Sequence, residues 1–113
     1  MAETTVMTHD RAQHYLRTIR QEAARVAHDA ESAVGPAVPI EDRMAFRAEW
    51  ANEMGRFALL VRAYDAKQLD AASTAELGSV AGALADLMPL LEQLRLRAPS
   101  SADLARLKAT SAA

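Results

Sequence analysis

Residues 40–67 read IEDRMAFRAEWANEMGRFALLVRAYDAK, and this stretch decides the fold. At about 100° per residue, its bulky apolar side chains fall on one side of an α-helix. These side chains are Phe46, Trp50, Met54, Phe57, Leu60, Val61 and Tyr64. The stretch therefore predicts one long helix, from about Ile40 to Lys67, that contributes most of the bulk of a hydrophobic core.

Upstream, a second apolar repeat predicts a helix of roughly 25 residues that begins after Thr8. Thr8 is a suitable N-cap, and Asp10 lies in the first turn, where the helix dipole favours a carboxylate. Apolar residues then alternate in spacing between four and three, which is typical of a helix that packs on another helix. They are Ala12, Leu16, Ile19, Ala23, Val26, Ala30 and Ala33. Gly35 and Pro36 predict the end of this helix.

Downstream, the pattern Ser73-Thr74-Ala75-Glu76 fits a capping box and predicts the start of a third helix, with Ser73 as N-cap. The apolar stripe that follows consists of Leu77, Val80, Ala81, Leu84, Leu87, Met88, Leu91 and Leu94. Pro89 predicts a kink or a break, because proline cannot donate a hydrogen bond to the carbonyl of Ala85. After Pro99, Ser100 or Ser101 is expected to cap a short last helix.

The composition agrees with a helical protein. Of 113 residues, 26 are Ala and 13 are Leu, whereas 8 are Val or Ile and 5 are aromatic. Ala and Leu favour helices, and strands favour β-branched and aromatic residues. We therefore predict a single all-α domain over residues 1–113, an antiparallel bundle of three long helices plus a short C-terminal helix. Residues 1–7 and 109–113 are expected to be flexible.

The composition also narrows the function. The chain has no cysteine, which excludes a disulfide scaffold and a thiolate metal site. No apolar run is long enough to span a membrane, and the N-terminus does not resemble a secretory signal. These features predict a cytoplasmic protein without a membrane partner.

The three histidines do not predict a metal site. His9, His14 and His28 lack the spacing of three or four residues that places two imidazoles on one face of a helix. His28 and Glu31 are correctly spaced, but the bundle pattern for two metal ions needs such a motif on two helices. We expect no metal ion and no cofactor.

Nor does the chain carry a recognisable catalytic motif. The serines that could act as nucleophiles stand at predicted helix starts, where capping explains them. Glu49 and Glu53 lie four residues apart on the second helix, but the arginines nearby make ordinary ion pairs the simpler interpretation. We expect a protein that is not an enzyme and has no small-molecule substrate.

The arginines give more information about function than the acids do. On the first helix, the stripe opposite the apolar seam carries arginine and histidine and is free of carboxylates. This side carries His14, Arg17, Gln21, Arg25 and His28. Guanidinium groups bind phosphates through paired hydrogen bonds, so the stripe predicts contact with a nucleic-acid backbone. A solvated helix face and a protein contact are the alternatives. The net charge of −2 argues against a free-standing nucleic-acid-binding domain.

A second surface is suggested by small residues. Gly78 and Gly82 lie four residues apart, and each costs about 1 kcal/mol relative to Ala in a helix interior. Such glycines suggest that another backbone approaches closely. Leu59 and Arg62 lie opposite the core side of the second helix. The leucines expected to be exposed are Leu59, Leu90 and Leu96. We predict a partner interface at Gly78, Gly82, Leu59 and Arg62, for another protein or a second copy.

The chain resembles the small subunit of CRISPR effector complexes. The likeness lies in the basic, aromatic opening of the first helix, Asp10-Arg11-Ala12-Gln13-His14-Tyr15-Leu16, and in the arginine-bearing helix around Phe57-Ala58-Leu59-Leu60. The resemblance implies a non-catalytic subunit that stacks along a guide RNA and contacts neighbouring subunits and the RNA or DNA backbone. The alternative is a homodimeric adaptor, chaperone or antitoxin-like regulator that binds another protein.

Overall fold

The computed structural model describes residues 7–111, except for the side chains of residues 30–33 and 111. This part contains four helices: α1 (His9–Val34), α2 (Ile40–Asp65), α3 (Ala71–Leu94) and α4 (Ser101–Ser111). It contains no strand. The prediction of an all-α fold with three long helices and a short C-terminal helix is confirmed.

The helices run alternately up and down. α1 packs on both α2 and α3, and α4 packs on α3. Side-chain pairs show that α1 is antiparallel to α2 and parallel to α3. These pairs are Thr18–Glu53 and Arg25–Glu49 for α1 with α2, and His9–Asp70 and Arg20–Glu76 for α1 with α3. Short connections between successive helices enforce this arrangement.

The core forms where the predicted apolar stripes meet. Trp50, Leu16 and Ile19 are fully buried, as the sequence predicts. The remaining buried members of the predicted stripes on the three long helices are Ala12, Ala23, Val26, Phe46, Met54, Phe57, Leu60, Val61, Leu77, Val80, Ala81, Leu84, Leu87 and Leu91. Tyr64, Met88 and Leu94 pack against the core while partly exposed. The side chains of Ala30 and Ala33 lie outside the described residues.

The structure describes part of each segment that is expected to be flexible. Met7 is only 9% exposed and belongs to the core, and α4 continues through residues 109–111. The remaining residues of the two predicted segments, 1–6 and 112–113, lie outside the described residues.

The helix starts agree with the sequence at two positions and differ at a third. The Thr8 hydroxyl accepts from the backbone N–H of Arg11 at 3.1 Å, and the Ser100 hydroxyl accepts from Asp103 at 3.3 Å. The prediction of Ser73 as N-cap is wrong. Asp70 is the N-cap of α3, and its carboxylate accepts from the backbone N–H of Ser73 at 2.7 Å. A carboxylate three residues upstream thus outcompetes the capping box.

Ser73 has another role, because its side chain is buried between α1 and α3. Its hydroxyl accepts a hydrogen bond from the Gln13 amide at 3.1 Å. Ser73 therefore stabilises a contact between two helices instead of capping one.

The helix interiors and ends also show departures. α3 continues through Pro89, so the break considered for this position does not occur. α1 instead has a non-helical residue at Asp29, with φ −126° and ψ 21°. Gly35 follows α1 without a positive φ, whereas Lys67 and Arg95 adopt left-handed conformations with φ of 59° and 55°. Left-handed backbone is strained for residues with a Cβ atom.

Side chains of α2 hold the segment that joins α3 to α4. Arg47 donates to the carbonyl oxygens of Leu94 at 3.0 Å and Arg95 at 2.9 Å, which satisfies acceptors at the end of α3. The same segment buries Leu96, which is 7% exposed. The expectation that Leu96 is exposed is therefore wrong. Leu90 is half-buried.

Candidate interaction surfaces

The outer face of α1 presents most of the predicted nucleic-acid-binding residues to solvent. Within residues 7–111, the side chains of four of them form no hydrogen bond or ion pair with another described side chain. These residues are His14, Arg17, Gln21 and His28, and all four are exposed. We call this set the outer α1 face. Between His14 and His28 it extends over about 21 Å, at roughly 1.5 Å per residue.

Arg25 lies apart from this set, at the junction of α1 and α2. Its guanidinium is 3.7 Å from the Glu49 carboxylate and 3.9 Å from that of Glu22. It also lies over the Phe46 ring, 5.3 Å from the ring centroid. Two carboxylates and an aromatic face thus compete with any phosphate for this side chain. The sequence did not reveal this contact, because Glu49 is 24 positions away on another helix.

Next to Arg25, a buried carboxylate joins α1 to α2. Glu53 is 7% exposed and accepts from the Thr18 hydroxyl at 2.8 Å and from Arg56 at 2.9 Å. Arg56 lies over the Tyr15 ring at 5.3 Å. Because both carboxylate oxygens have partners, burial of this charge is compensated. The Glu49 and Glu53 pair therefore has structural partners on α1 and α2.

Glu22 faces the same junction with less compensation. One of its carboxylate oxygens, Oε2, is buried without a hydrogen-bond partner in the described part of the chain. Burial raises the pKa of Glu22 above its ordinary value, and this effect outweighs the opposing effect of Arg25. The nearby charges of Glu49 and Glu53 raise the pKa further.

The two glycines of the predicted partner interface lie close to the chain's own core and C-terminal helix. Gly78 is buried. A Cβ atom placed on Gly82 would lie 4.0 Å from the Lys108 side chain of α4, which is ordinary van der Waals contact. The neighbour that the structure gives Gly82 is thus a side chain of α4 at ordinary contact distance, and not a closely approaching backbone.

Leu59 and Arg62 of the same predicted interface lie elsewhere, in a groove between α1 and α2. Leu59 is 43% exposed, as expected. The groove has a volume of about 460 Å³ and includes Arg11 and Tyr15 from α1. The structure therefore separates the predicted interface residues: Gly82 lies beside α4, Gly78 is buried, and Leu59 and Arg62 line this α1–α2 groove.

A further exposed apolar pair, which the sequence reasoning missed, lies at the start of α2. Ile40 is 59% exposed and Met44 is 64% exposed. Their spacing of four residues places them on one face of the helix and could have revealed the pair.

A cavity of about 420 Å³ is formed at the α1–α2 turn and the end of α3, lined by Val34, Gly35, Pro36, Ala37 and Leu94.

Within the described residues, no group of three or more His, Asp or Glu side chains is arranged to hold a metal ion. The side chain of Glu31, which is three residues from His28 in the sequence, lies outside the described residues. None of the helices in residues 7–111 combines the length and apolar character that a membrane span requires.

Comparisons with protein-family models, with curated proteins and with solved structures found no match to this chain.

Proposed function

We propose that this chain is a non-catalytic helical subunit of a larger assembly such as a CRISPR ribonucleoprotein complex. In this proposal, α1 contacts a nucleic-acid backbone. The outer α1 face supports this proposal. Its basic and amide groups are exposed and have no side-chain partner within the described residues, so they can bind phosphates without breaking an internal contact. A subunit held by its neighbours needs only a few such contacts, which is compatible with a net charge of −2.

Arg17 is the central residue of this proposal, and Arg25 is secondary. An arginine that already faces two carboxylates must give up those interactions before it binds a phosphate. Arg17 has no such competitor in the described part of the chain. We therefore assign backbone contact to His14, Arg17, Gln21 and His28, and assign Arg25 mainly to the α1–α2 contact.

The decisive experiment starts with affinity purification of the tagged full chain from its host, followed by mass spectrometry and sequencing of bound nucleic acid. Co-purification of protein subunits with RNA is expected. Arg17→Glu should weaken retention of RNA in the assembly, and each lost phosphate contact on a single strand should reduce the salt-dependence slope by about 0.7.

Lys108→Glu is the matched control, because it makes the same charge change on the exposed surface of α4. It should leave RNA retention unchanged. Recovery of the chain without nucleic acid, or equal effects of the two variants, would contradict a specific role for the outer α1 face.

A second candidate function is a homodimeric adaptor that binds another protein. The exposed pair Ile40 and Met44 favours it, because neighbouring large apolar side chains on a surface often mark a protein contact. Sedimentation velocity of the purified chain tests this function. A dimer that dissociates on Met44→Lys and does not bind RNA at low salt would support the adaptor over the ribonucleoprotein subunit.

A further inference from the structure

The groove between the beginning of α1 and the end of α2 has the size of a small-molecule site. Its volume is about 460 Å³, and ligand pockets typically measure roughly 300–1,000 Å³. Its apolar lining consists of Met7, Tyr15, Leu59, Ala63 and Ala66. Because Leu59 remains 43% exposed, an apolar ligand would remove from water a surface that folding leaves accessible.

Two guanidinium groups border this apolar surface. Arg11 and Arg62 line the groove, and no carboxylate is among its lining residues. Both are exposed, and neither forms an ion pair within residues 7–111. Arg56, which lies over the Tyr15 ring, is by contrast neutralised by Glu53 at 2.9 Å. The groove therefore combines an apolar lining with two positive charges that have no ion-pair partner within residues 7–111.

The helix dipoles do not cancel the positive charge of the two arginines. The N-terminal end of α1 and the C-terminal end of α2 both reach the groove, and their partial charges are opposite in sign. Side chains therefore determine the local potential. Gln68 adds a polar group, since its Oε1 accepts from the backbone N–H of Met7 at 3.4 Å and its amide N–H groups remain donors.

We propose that this groove binds an anionic amphiphile, a molecule with a carboxylate head and an unbranched apolar chain. Arg11 and Arg62 bind the carboxylate through charge-assisted hydrogen bonds. The chain covers Leu59 and the half-buried Tyr15 ring. The site is separate from the outer α1 face, so the proposal holds whether or not α1 contacts a nucleic acid.

Calorimetric titration of the full chain with decanoate, below the concentration at which decanoate forms micelles, tests the proposal. Saturable binding of one decanoate per chain is expected. Decanol and decyltrimethylammonium have the same chain length without the negative charge. They should bind at least about tenfold more weakly, because they lose the ionic hydrogen bonds.

Two substitutions locate the site. The double variant Arg11→Met, Arg62→Met keeps much of the side-chain volume and should weaken decanoate binding by about tenfold or more. Arg17→Met, on the outer α1 face, is the control for removal of an exposed arginine outside the groove and should bind decanoate like the unmodified chain. Circular dichroism should show the same melting for all variants, since these arginines are exposed.

Three results would overturn the proposal. Equal binding of decanoate and decyltrimethylammonium would exclude recognition of the carboxylate. Unchanged affinity in the double variant would place any binding elsewhere. Absence of saturable decanoate binding to the full chain would overturn the proposal as a whole. The comparison of the three alkyl compounds needs no variant, so it decides the charge preference even if the double variant misfolds.

Discussion

Trp50 donates its indole N–H to the carbonyl oxygen of Arg97 at 2.7 Å. Trp50 belongs to α2 and its side chain is fully buried, whereas Arg97 lies in the segment between α3 and α4. Arg97 in turn donates from its guanidinium to the carbonyl oxygen of Ala51 at 3.2 Å. These reciprocal bonds attach the α3–α4 connection to the middle of α2.

The Trp50–Arg97 contact predicts a graded loss of stability. Trp50→Ala should lower the free energy of unfolding by about 3–5 kcal/mol, as large truncations of buried aromatic residues do. Trp50→Phe keeps an aromatic ring but leaves the Arg97 carbonyl without its donor, so a smaller loss of about 1–3 kcal/mol is expected. Urea denaturation followed by circular dichroism measures both. Near-native stability of Trp50→Ala would mean that this side of α2 does not face the core.

The cap at Asp70 predicts a pH-dependent contribution. The hydrogen bond from the Ser73 backbone N–H, with smaller effects of the Ser73 side chain and His9, holds the pKa of Asp70 below its ordinary value. A lowered pKa adds stability that is present above the ordinary value of 3.8 and is lost as pH falls through the folded-state value. Asp70→Ala should therefore lower the urea midpoint at pH 7 and reduce this acid dependence.

Asp70→Asn serves as the companion variant, because asparagine caps helices without an ionisable group. It should keep most of the stability at pH 7 while losing the pH-dependent part. Asp86→Ala, at an exposed position inside α3, is the control and should not reproduce the loss. Equal midpoints for Asp70→Ala and the unmodified chain would contradict the assignment of the cap.

Glu22 predicts the opposite pH dependence. Its pKa is raised, chiefly by burial, so the folded state disfavours the charged carboxylate. The penalty is absent below the ordinary value of 4.5 and develops as pH rises through the higher folded-state pKa. Glu22→Gln should therefore be more stable than the unmodified chain at pH 7, and the difference should shrink at acid pH. Thermal melting at several pH values measures it, with Asp86→Asn as the exposed control.

The left-handed backbone at Lys67 predicts a stabilising substitution. With φ of 59°, a lysine is strained where glycine is not. Lys67→Gly should raise the free energy of unfolding by roughly 0.5–1 kcal/mol, after the added flexibility of the unfolded chain is subtracted. Ala66→Gly is the matched control. Ala66 has φ of −84°, so glycine there should destabilise. A loss of stability in both variants would argue against the left-handed conformation.

How far the sequence predicts the structure depends on the range over which each interaction acts. The apolar repeat through Phe46, Trp50 and Phe57 lies within one helix. Each of the hydroxyl caps at Thr8 and Ser100 likewise acts on the first turn of its own helix. Such patterns depend on neighbours three or four positions away, and the structure agrees with them. The cap of α3 was mispredicted because two acceptors, Asp70 and Ser73, lie three residues apart and only one can hold the helix end.

Patterns of this kind do not predict which side chains from different helices come into contact. Arg25 lies on the predicted stripe of α1, but its place beside Glu49 follows from the antiparallel packing of α1 on α2. Leu96 has no local feature that predicts burial, and its burial accompanies the attachment of the α3–α4 connection to α2. The groove at Leu59 and Arg62 likewise exists only because Arg11 and Tyr15 of α1 lie opposite.

The amino-acid sequence by itself determined the helical class, the number of helices within residues 7–111 and the side of each helix that enters the core. The tertiary structure decided which arginines are available to a partner, which cap holds α3 and where a groove opens. The physical reason is that apolar periodicity acts within a few turns of one helix. Ion pairs, buried hydrogen bonds and grooves instead depend on residues that packing brings together from distant parts of the chain.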